Sequence, residues 1–235
     1  MRIFNDHSVL SEAAAKIFIE SAAQAIAERG QFLVALSGGT SPIALYQLLA
    51  NRSIDWLHVH VFWGDERCVP MDDPGNNYGQ AREALLNHVP IPAKNIHRIK
   101  SELKPADAAK DYKLVLKRFA EPPLAWPRLD LVLLGMGEDG HVASLFPGSP
   151  IESTEPVIAV TANYQQRPAN RVTMTPLVLN TARQVLFLVS GQSKSETLAS
   201  VLKGDYQPVQ LPAQRIQPVD GKVTWLVDAQ AAVKL

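Results

Sequence analysis

An apolar strand passes into a helix through a glycine-rich turn at Phe32–Ala50, which reads FLVALSGGTSPIALYQLLA. The first five residues are all apolar, as in a strand that is buried on both faces. Pro42 stands at the first-turn position of the helix, where proline fits well. The same alternation of strand and helix recurs along the chain, which predicts an α/β protein with a largely parallel sheet.

Hydrophobic periodicity places the other elements. Further strands are predicted at 57–63, 129–134 and 184–189, with weaker ones at 156–160 and 170–174 and a last one at 223–227. Helices are predicted at 8–29, 77–88, 105–120 and 192–202, the first with Ser8 as its candidate N-cap and Gly30 just past its end. The proline-rich stretch at 121–127 is a connection, because the alternation resumes after it. We therefore expect one domain over residues 1–235.

Composition excludes several classes of protein. The 235 residues include 23 lysines and arginines and 23 aspartates and glutamates, and a net charge of zero argues against a nucleic-acid or membrane-coating protein. It still permits a small cationic pocket. No apolar run approaches the length of a membrane span, and no signal peptide is visible at the start. One cysteine cannot form an internal disulfide or a thiolate-rich metal site, so a cytoplasmic location is expected.

Ligands bind beyond the carboxyl ends of the strands in open parallel sheets, and three predicted strands end in unusual sequences there. The first ends in Ser37, Gly38, Gly39, Thr40 and Ser41. The two glycines let backbone amides approach an anion, and the following helix adds its dipole. The alternative is a plain strand-to-helix turn with Ser41 as N-cap. Neither a P-loop lysine nor the third glycine of a dinucleotide fingerprint is present, which disfavours nucleotide binding.

The second strand ends in Asp65, Glu66 and Arg67. In this position Arg67 could bind an anion or a developing oxyanion, and Asp65 could accept a proton or orient a hydroxyl. A charged triplet is also typical of a solvated loop.

The third strand runs into the glycine-rich segment Gly135–His141, which reads GMGEDGH. Glycines allow the chain to turn sharply and to bring Asp139 and His141 to the mouth of the strand. Histidine acts as a general base near neutral pH, and a neighbouring carboxylate can orient its ring. The alternative is a surface turn in which His141 is incidental, but the strand before it is clearly central and favours a functional role.

Two basic residues are candidates to complete an anion site. Arg171 lies within a strand pattern, where an arginine needs a partner or a ligand. Lys194 stands at the start of a predicted helix, where the helix dipole does not favour a cation. A solvated lysine is the alternative for Lys194.

Other candidates are weaker. His58 and His60 share a strand face at a spacing that can bind metal, but no third ligand is evident, so packed or surface histidines are favoured. Cys68 follows Arg67 and is interpreted as a small buried residue rather than a nucleophile. No Gly-x-Ser-x-Gly elbow occurs, which disfavours a serine hydrolase.

Several long motifs occur in an order that is specific when they are taken together. They are Ala35–Pro42, Trp63–Pro70, Asn76–Gly79, Leu133–Gly148 and Arg171–Thr175. On these motifs the chain resembles the 6-phosphogluconolactonase family, within the superfamily that this family shares with glucosamine-6-phosphate deaminases. The likeness runs over nearly the whole sequence.

The resemblance implies a Rossmann-like, doubly wound fold and the hydrolysis of 6-phospho-D-glucono-1,5-lactone to 6-phosphogluconate in the pentose phosphate pathway. It implies a small phosphorylated sugar lactone as the ligand, with no metal and no redox cofactor, and it leaves the oligomeric state open. It makes His141 the residue that activates water, supported by Asp139 and Asp65, with Arg67 in contact with the substrate. The phosphate-binding residues that it implies are Ser37, Gly38, Gly39, Thr40, Arg171 and Lys194.

Two other functions compete. A deaminating isomerase of amino-sugar phosphates would use much the same pocket, but the resemblance implies that such enzymes carry a glutamate five residues after the shared histidine, where this chain has Phe146. A non-catalytic sugar-phosphate sensor would keep the phosphate loop without needing His141. The intact Asp139–Gly140–His141 segment disfavours the sensor.

Overall fold

The computed structural model describes residues 1–164 and 168–235, which form two sheets with helices packed around them. The strands are β1 (Arg2–Phe4), β2 (Phe32–Leu36), β3 (Val59–Trp63), β4 (Asp65–Arg67), β5 (Leu131–Leu134), β6 (Val157–Thr161), β7 (Asn170–Met174), β8 (Gln184–Val189) and β9 (Lys222–Asp228). The α-helices are α1 (His7–Arg29), α2 (Ser41–Ala50), α3 (Asn77–Ala84), α4 (Pro105–Lys117), α5 (Pro176–Leu179) and α6 (Ser195–Lys203).

The central sheet has six parallel strands in the order β1-β9-β8-β5-β2-β3. Every residue of β2 and β5 is buried, because both faces of the sheet are covered. This sheet and its flanking helices confirm the predicted α/β class with a largely parallel sheet.

The strand order creates one crevice at the carboxyl edge of this sheet. From β2 the chain moves outward to β3, and it later returns to the other side of β2 to form β5. The connections that leave β2 and β5 therefore run in opposite directions, and a crevice opens between them. The turns after these two strands begin at Ser37 and Gly135, which are the two glycine-rich segments that the sequence indicates.

A second sheet corrects part of the sequence prediction. The weaker strands become β6 and β7, and β7 pairs antiparallel with β6 on one side and with β4 on the other, outside the parallel sheet. Residues along β6 alternate between more and less buried positions, as in a sheet with one solvated face. The charged triplet Asp65–Arg67 is thus a strand, and the solvated-loop alternative for it is wrong.

Several boundaries also differ from the sequence prediction. Helix α1 begins at His7, and its N-cap is Asp6 rather than Ser8, because the Asp6 carboxylate accepts a hydrogen bond from the Val9 amide at 2.9 Å. Gly30 ends this helix as predicted, with a left-handed φ of 75°. Strand β1 was not predicted, since three residues are too few to show a period. Among the described residues, no helix is both long enough and apolar enough to cross a membrane.

Candidate active site

A cleft of about 340 Å³ opens at the carboxyl ends of β2, β5 and β8. Its walls include the predicted site residues Ser37, Gly38, Gly39, Thr40, Asp65, Arg67, His141, Arg171 and Lys194. Asp139 does not line the cleft, but its carboxylate contacts the His141 ring. The fold therefore brings together residues that are up to 157 positions apart, from Ser37 to Lys194, at the crevice that the strand order creates.

His141 and Asp139 form a hydrogen-bonded pair. The imidazole Nδ1 lies 2.6 Å from Asp139 Oδ1, and the same oxygen accepts the His141 backbone N–H at 3.1 Å. Burial acts to raise the pKa of Asp139, but the hydrogen bond from His141 and its charge outweigh burial and lower that pKa below its usual value. An ionised Asp139 holds the proton of the neutral ring on Nδ1. Nε2 then carries the lone pair that can accept a proton.

The His141–Asp139 pair has room to form because Gly137, which lies against it, has no side chain. A Cβ placed on Gly137 would lie 2.1 Å from Nδ1 of His141 and 2.6 Å from Asp139 Oδ1. The Gly137 amide also donates to the His141 carbonyl at 2.9 Å, which closes the turn. Any side chain at Gly137 would thus occupy the space of the dyad.

Aromatic rings pack around His141. The Phe146 ring lies 4.5 Å from the imidazole at an interplanar angle of 31°, and the Tyr164 ring meets the imidazole edge-on at 4.7 Å. The guanidinium of Arg171 lies over the Phe146 ring, 5.1 Å from its centroid. Phe146 therefore contacts both the catalytic histidine candidate and Arg171.

Side chains along β4 alternate between two surroundings, as the period of a strand requires. Asp65 and Arg67 line the cleft. Glu66, the residue between them, is fully buried. Its carboxylate accepts hydrogen bonds from the Arg67, Asn77 and Tyr78 amides at 2.7–2.8 Å. Burial raises the pKa of Glu66 to about 7, against the opposing effect of these three bonds. Glu66 thus fastens β4 to the start of α3 and is not part of the cleft.

The Asp65 carboxylate is held by two neighbours. Ser144 Oγ donates to Oδ2 at 2.6 Å, and Asn77 Nδ2 donates to Oδ1 at 3.4 Å as well as to the Asp65 backbone carbonyl at 2.9 Å. Ala143, beside Ser144, has a φ of 47°, in a region that costs energy for a residue with a Cβ. This strained residue also lines the cleft. The loop after His141 therefore stores strain where it positions Asp65.

Arg67 and Arg171 stand opposite each other in the ladder between β4 and β7. Their exposed fractions are only 7% and 2%, and both line the cleft. Arg67 Nη1 donates to the Gly75 carbonyl at 2.7 Å, and Arg171 Nε donates to the Pro168 carbonyl at 3.1 Å. Like charges directly opposite in a sheet repel each other. An anion in the cleft would relieve this repulsion.

The turn after β2 is fixed by side chains from two helices. The Ser37 amide donates to the Tyr46 hydroxyl at 3.1 Å, and the Gly39 amide donates to Gln80 Oε1 at 3.1 Å. Two amides of the predicted anion loop are thus already engaged within the protein. The alternative with Ser41 as N-cap is wrong, because α2 begins at Ser41 and its N-cap, Thr40, makes no side-chain capping bond. Both Ser41 and Thr40 line the cleft.

Sequence reasoning gave no role in the site to six other polar residues that line the cleft: His7, Asn77, Glu138, Tyr164, Ser190 and Ser193. Asn77 had a signal, since it lies in one of the motifs that carry the resemblance. A Cβ on Gly38 would lie 1.8 Å from Asn77 Oδ1, so Gly38 is needed for this contact. No feature of the sequence indicated that His7 lies in the site. It is the first residue of helix α1, and the strand before this helix, β1, was not predicted.

The weaker candidates lie outside the cleft. His58 pairs with Asp55 at 2.8 Å, whereas His60 stacks on His97, with Nδ1 and Nε2 3.0 Å apart. In the described part of the chain, no three His, Cys, Asp or Glu side chains are grouped as metal ligands. Cys68 is half-buried, and burial raises the pKa of its thiol to about 11, which does not favour a nucleophile.

Comparison with known proteins identifies similar chains. The family model described as "Glucosamine-6-phosphate isomerases/6-phosphogluconolactonase" matches residues 5–225. A 6-phosphogluconolactonase of Synechocystis sp. is 42% identical, over 90% of this chain and 88% of that protein. The crystal structure of a 6-phosphogluconolactonase from Thermotoga maritima superposes with a TM-score of 0.85 at 29% identity, covering 97% of this chain and 98% of that one.

A monomeric glucosamine-6-phosphate deaminase shares the fold, with a TM-score of 0.86 over 100% of both chains. Its sequence identity of 20% supports no likeness beyond the fold.

Proposed function

This chain belongs to the family of glucosamine-6-phosphate isomerases and 6-phosphogluconolactonases, and we propose that it is one of the lactonases of this family. The reaction is the hydrolysis of 6-phospho-D-glucono-1,5-lactone to 6-phospho-D-gluconate, the second step of the oxidative pentose phosphate pathway. Relatives that carry the name 6-phosphogluconolactonase, at up to 42% identity over most of the chain, support this assignment.

One observation carries the proposal from the side of the structure. Three cationic side chains, those of Arg67, Arg171 and Lys194, line the same cleft as the His141–Asp139 dyad. The same lining also includes the carboxylates of Asp65 and Glu138, so three cations, two anions and a general base share one cleft. A phosphorylated ester meets both features, because its phosphate needs cations and its carbonyl needs an activated water.

In the proposed mechanism, His141 Nε2 accepts a proton from water as the water oxygen attacks the lactone carbonyl. Asp139 keeps the ring in the required tautomer and stabilises the imidazolium that forms. The tetrahedral intermediate carries an oxyanion, and Arg67 is the buried cation that we assign to it. Collapse of the intermediate breaks the bond to the ring oxygen, which takes the proton back from His141. Collapse leaves a hydroxyl group and a carboxylic acid, and the acid then loses its proton to solvent to give 6-phosphogluconate.

Phosphate binding supplies orientation. The phosphate is remote from the reacting carbon, so its interactions with Arg171, Lys194 and the Ser37–Thr40 turn position the ring without changing during the chemical step. Asp65, fixed by Ser144 and Asn77, is assigned to a substrate hydroxyl.

The decisive experiment compares the rate at which freshly made 6-phosphogluconolactone is hydrolysed with and without the purified protein, since this lactone also opens unaided. We expect strong acceleration that is lost in His141→Ala. A rate equal to the spontaneous one would refute the proposal.

The deaminase alternative is tested in the same preparation. Phe146 packs against His141 where the resemblance implies a glutamate in deaminases, and a phenyl ring can neither give nor take a proton. We therefore expect no ammonia release from glucosamine 6-phosphate. Ammonia release without acceleration of lactone hydrolysis would reverse the assignment.

We also propose a domain organisation and a cellular location for the protein. Residues 1–235 act as one domain, which is supported by a buried core that includes Val34 of the parallel sheet and Val172 of the small sheet. The protein acts in the cytoplasm, which is supported by its single, unpaired Cys68.

A further inference from the structure

His7 lines the catalytic cleft but has no role in the mechanism above. It is the first residue of α1, and its side chain is partly buried. Its Nδ1 is buried, and no hydrogen bond joins it to any other residue that the structure describes. A proton on Nδ1 would lack an acceptor, so the neutral ring favours the tautomer that carries its proton on Nε2. Nε2–H is then a donor available at the cleft.

The surroundings of His7 identify the end of the cleft to which it belongs. Asp228 ends β9, next to β1, and accepts hydrogen bonds from Ser190 Oγ and from the Gly191 amide at 3.1 Å. Burial acts to raise the pKa of Asp228, but the Ser190 and backbone hydrogen bonds, together with the charge of a protonated His7, lower it. The register between β1 and β9 places Phe4, three residues before His7, opposite Asp228, and His7 lines the same cleft as Ser190. The segment that follows Ser190 carries the cleft residues Ser193 and Lys194.

The other side of His7 is the start of α2. Helices α1 and α2 pack against each other, and the first residue of each, His7 and Ser41, lines the cleft. Two helix N-termini therefore open onto the same space, and each favours negative charge there. His7 therefore shares the cleft with the turn that carries Lys194 and the turn that ends at Ser41, which are two segments assigned to phosphate.

We propose that His7 is a further substrate-binding residue, which donates a hydrogen bond from Nε2 to the phosphate group and selects phosphorylated over unphosphorylated lactones. The proposal rests on the proposed function for the identity of the substrate. It assigns His7 to binding alone, because the group it contacts is remote from the reacting carbonyl.

The test uses variants that separate the two ring nitrogens. His7→Gln keeps an amide N–H near the position of Nε2, whereas His7→Asn keeps one near Nδ1 and His7→Ala keeps neither. We expect His7→Ala and His7→Asn to raise KM for the phosphorylated lactone about tenfold, as loss of a hydrogen bond to a charged group does, with kcat within about twofold of wild type. His7→Gln should stay within about threefold of the wild-type KM. His58→Ala removes an exposed histidine that pairs with Asp55 outside the cleft, and it serves as the matched control.

Unphosphorylated glucono-1,5-lactone separates binding from folding. A misfolded variant loses activity on both lactones, whereas loss of a phosphate contact lowers kcat/KM for the phosphorylated one alone. An unchanged KM in His7→Ala, equal losses on both lactones, or a failure of His7→Gln to retain affinity would overturn the proposal.

A second measurement does not depend on turnover. Inorganic phosphate should raise the Tm of the wild type more than that of His7→Ala or His7→Asn, at equal concentrations. Equal shifts in all three proteins would refute the role of His7, even if the lactone is hydrolysed. Conversely, a wild type that fails to accelerate lactone hydrolysis would refute the proposed function and leave this readout intact.

Discussion

Replacement of Gly137 by alanine should disable the catalytic dyad without touching any residue that binds substrate. The new Cβ would lie 2.1 Å from Nδ1 and 2.2 Å from Cε1 of His141, and 2.6 Å from Asp139 Oδ1. Ordinary contacts of a Cβ begin near 3.4 Å, so the imidazole must move by more than 1 Å. A misplacement of about 1 Å in a catalytic group can cost on the order of 10²-fold in rate. We expect kcat to fall by at least about 10²-fold.

The assay is saturation kinetics on fresh 6-phosphogluconolactone, corrected for spontaneous opening, alongside a thermal unfolding curve. KM should change little, because the cations of the cleft stay in place. Gly64→Ala is the matched control, since a Cβ there meets its nearest neighbours at 3.8 and 3.9 Å. If Gly137→Ala folds normally and keeps kcat within about threefold of wild type, the close approach does not hold the dyad, and the mechanism that depends on it is wrong.

Three further predictions follow from the same geometry. His141→Ala should lower kcat by roughly 10²–10⁴-fold with a much smaller change in KM, and near-normal turnover would remove this residue from the mechanism. Arg171→Ala should mainly raise KM, by about 10-fold or more, because a phosphate contact exists in both ground and transition states; an unchanged KM would make it a structural residue. Burial, together with the nearby His60 and Arg118, lowers the pKa of His97 to about 4. As the pH falls below 6.5, His97 is therefore protonated in the unfolded chain before it is protonated in the folded one. Urea unfolding should therefore show a loss of about 1 kcal/mol between pH 7 and pH 5 that is absent in His97→Gln, and equal losses in both proteins would contradict this.

The parallel sheet was predictable from the sequence because each of its main strands is a run of apolar residues. Strands β2, β5 and β8 are buried almost throughout, and burial on both faces leaves that signature in the chain. Because ligands bind beyond the carboxyl ends of parallel strands, Ser37 and His141 were expected in one site, although they are 104 positions apart in the sequence. These parts of the site follow from local pattern and from a general property of parallel sheets.

The small sheet could not be predicted in the same way. Strand β4 has three residues, all of them charged, and its pairing partner β7 lies about 100 positions further along the chain. Neither period nor hydrophobicity marks such a strand, and sequence alone does not give its register. The same holds for His7, whose place in the cleft depends on how α1 packs beside α2.

The register of β4 against β7 explains how a chain of zero net charge can present cations to a phosphorylated substrate. The pairing places Arg67 opposite Arg171, and the two-residue period of β4 turns Arg67 and Asp65 into the cleft while Glu66 is buried against α3. Had the pairing slipped by one residue, Glu66 would face the cleft, and Arg67 and Asp65 would turn away from it. The three amides that bind the Glu66 carboxylate therefore also serve the site, because they hold β4 in the register that keeps both arginines beside the dyad. Because like charges opposite each other in a sheet repel, we expect an anion bound in the cleft to relieve the repulsion between Arg67 and Arg171, and this relief would add to the affinity for a phosphate.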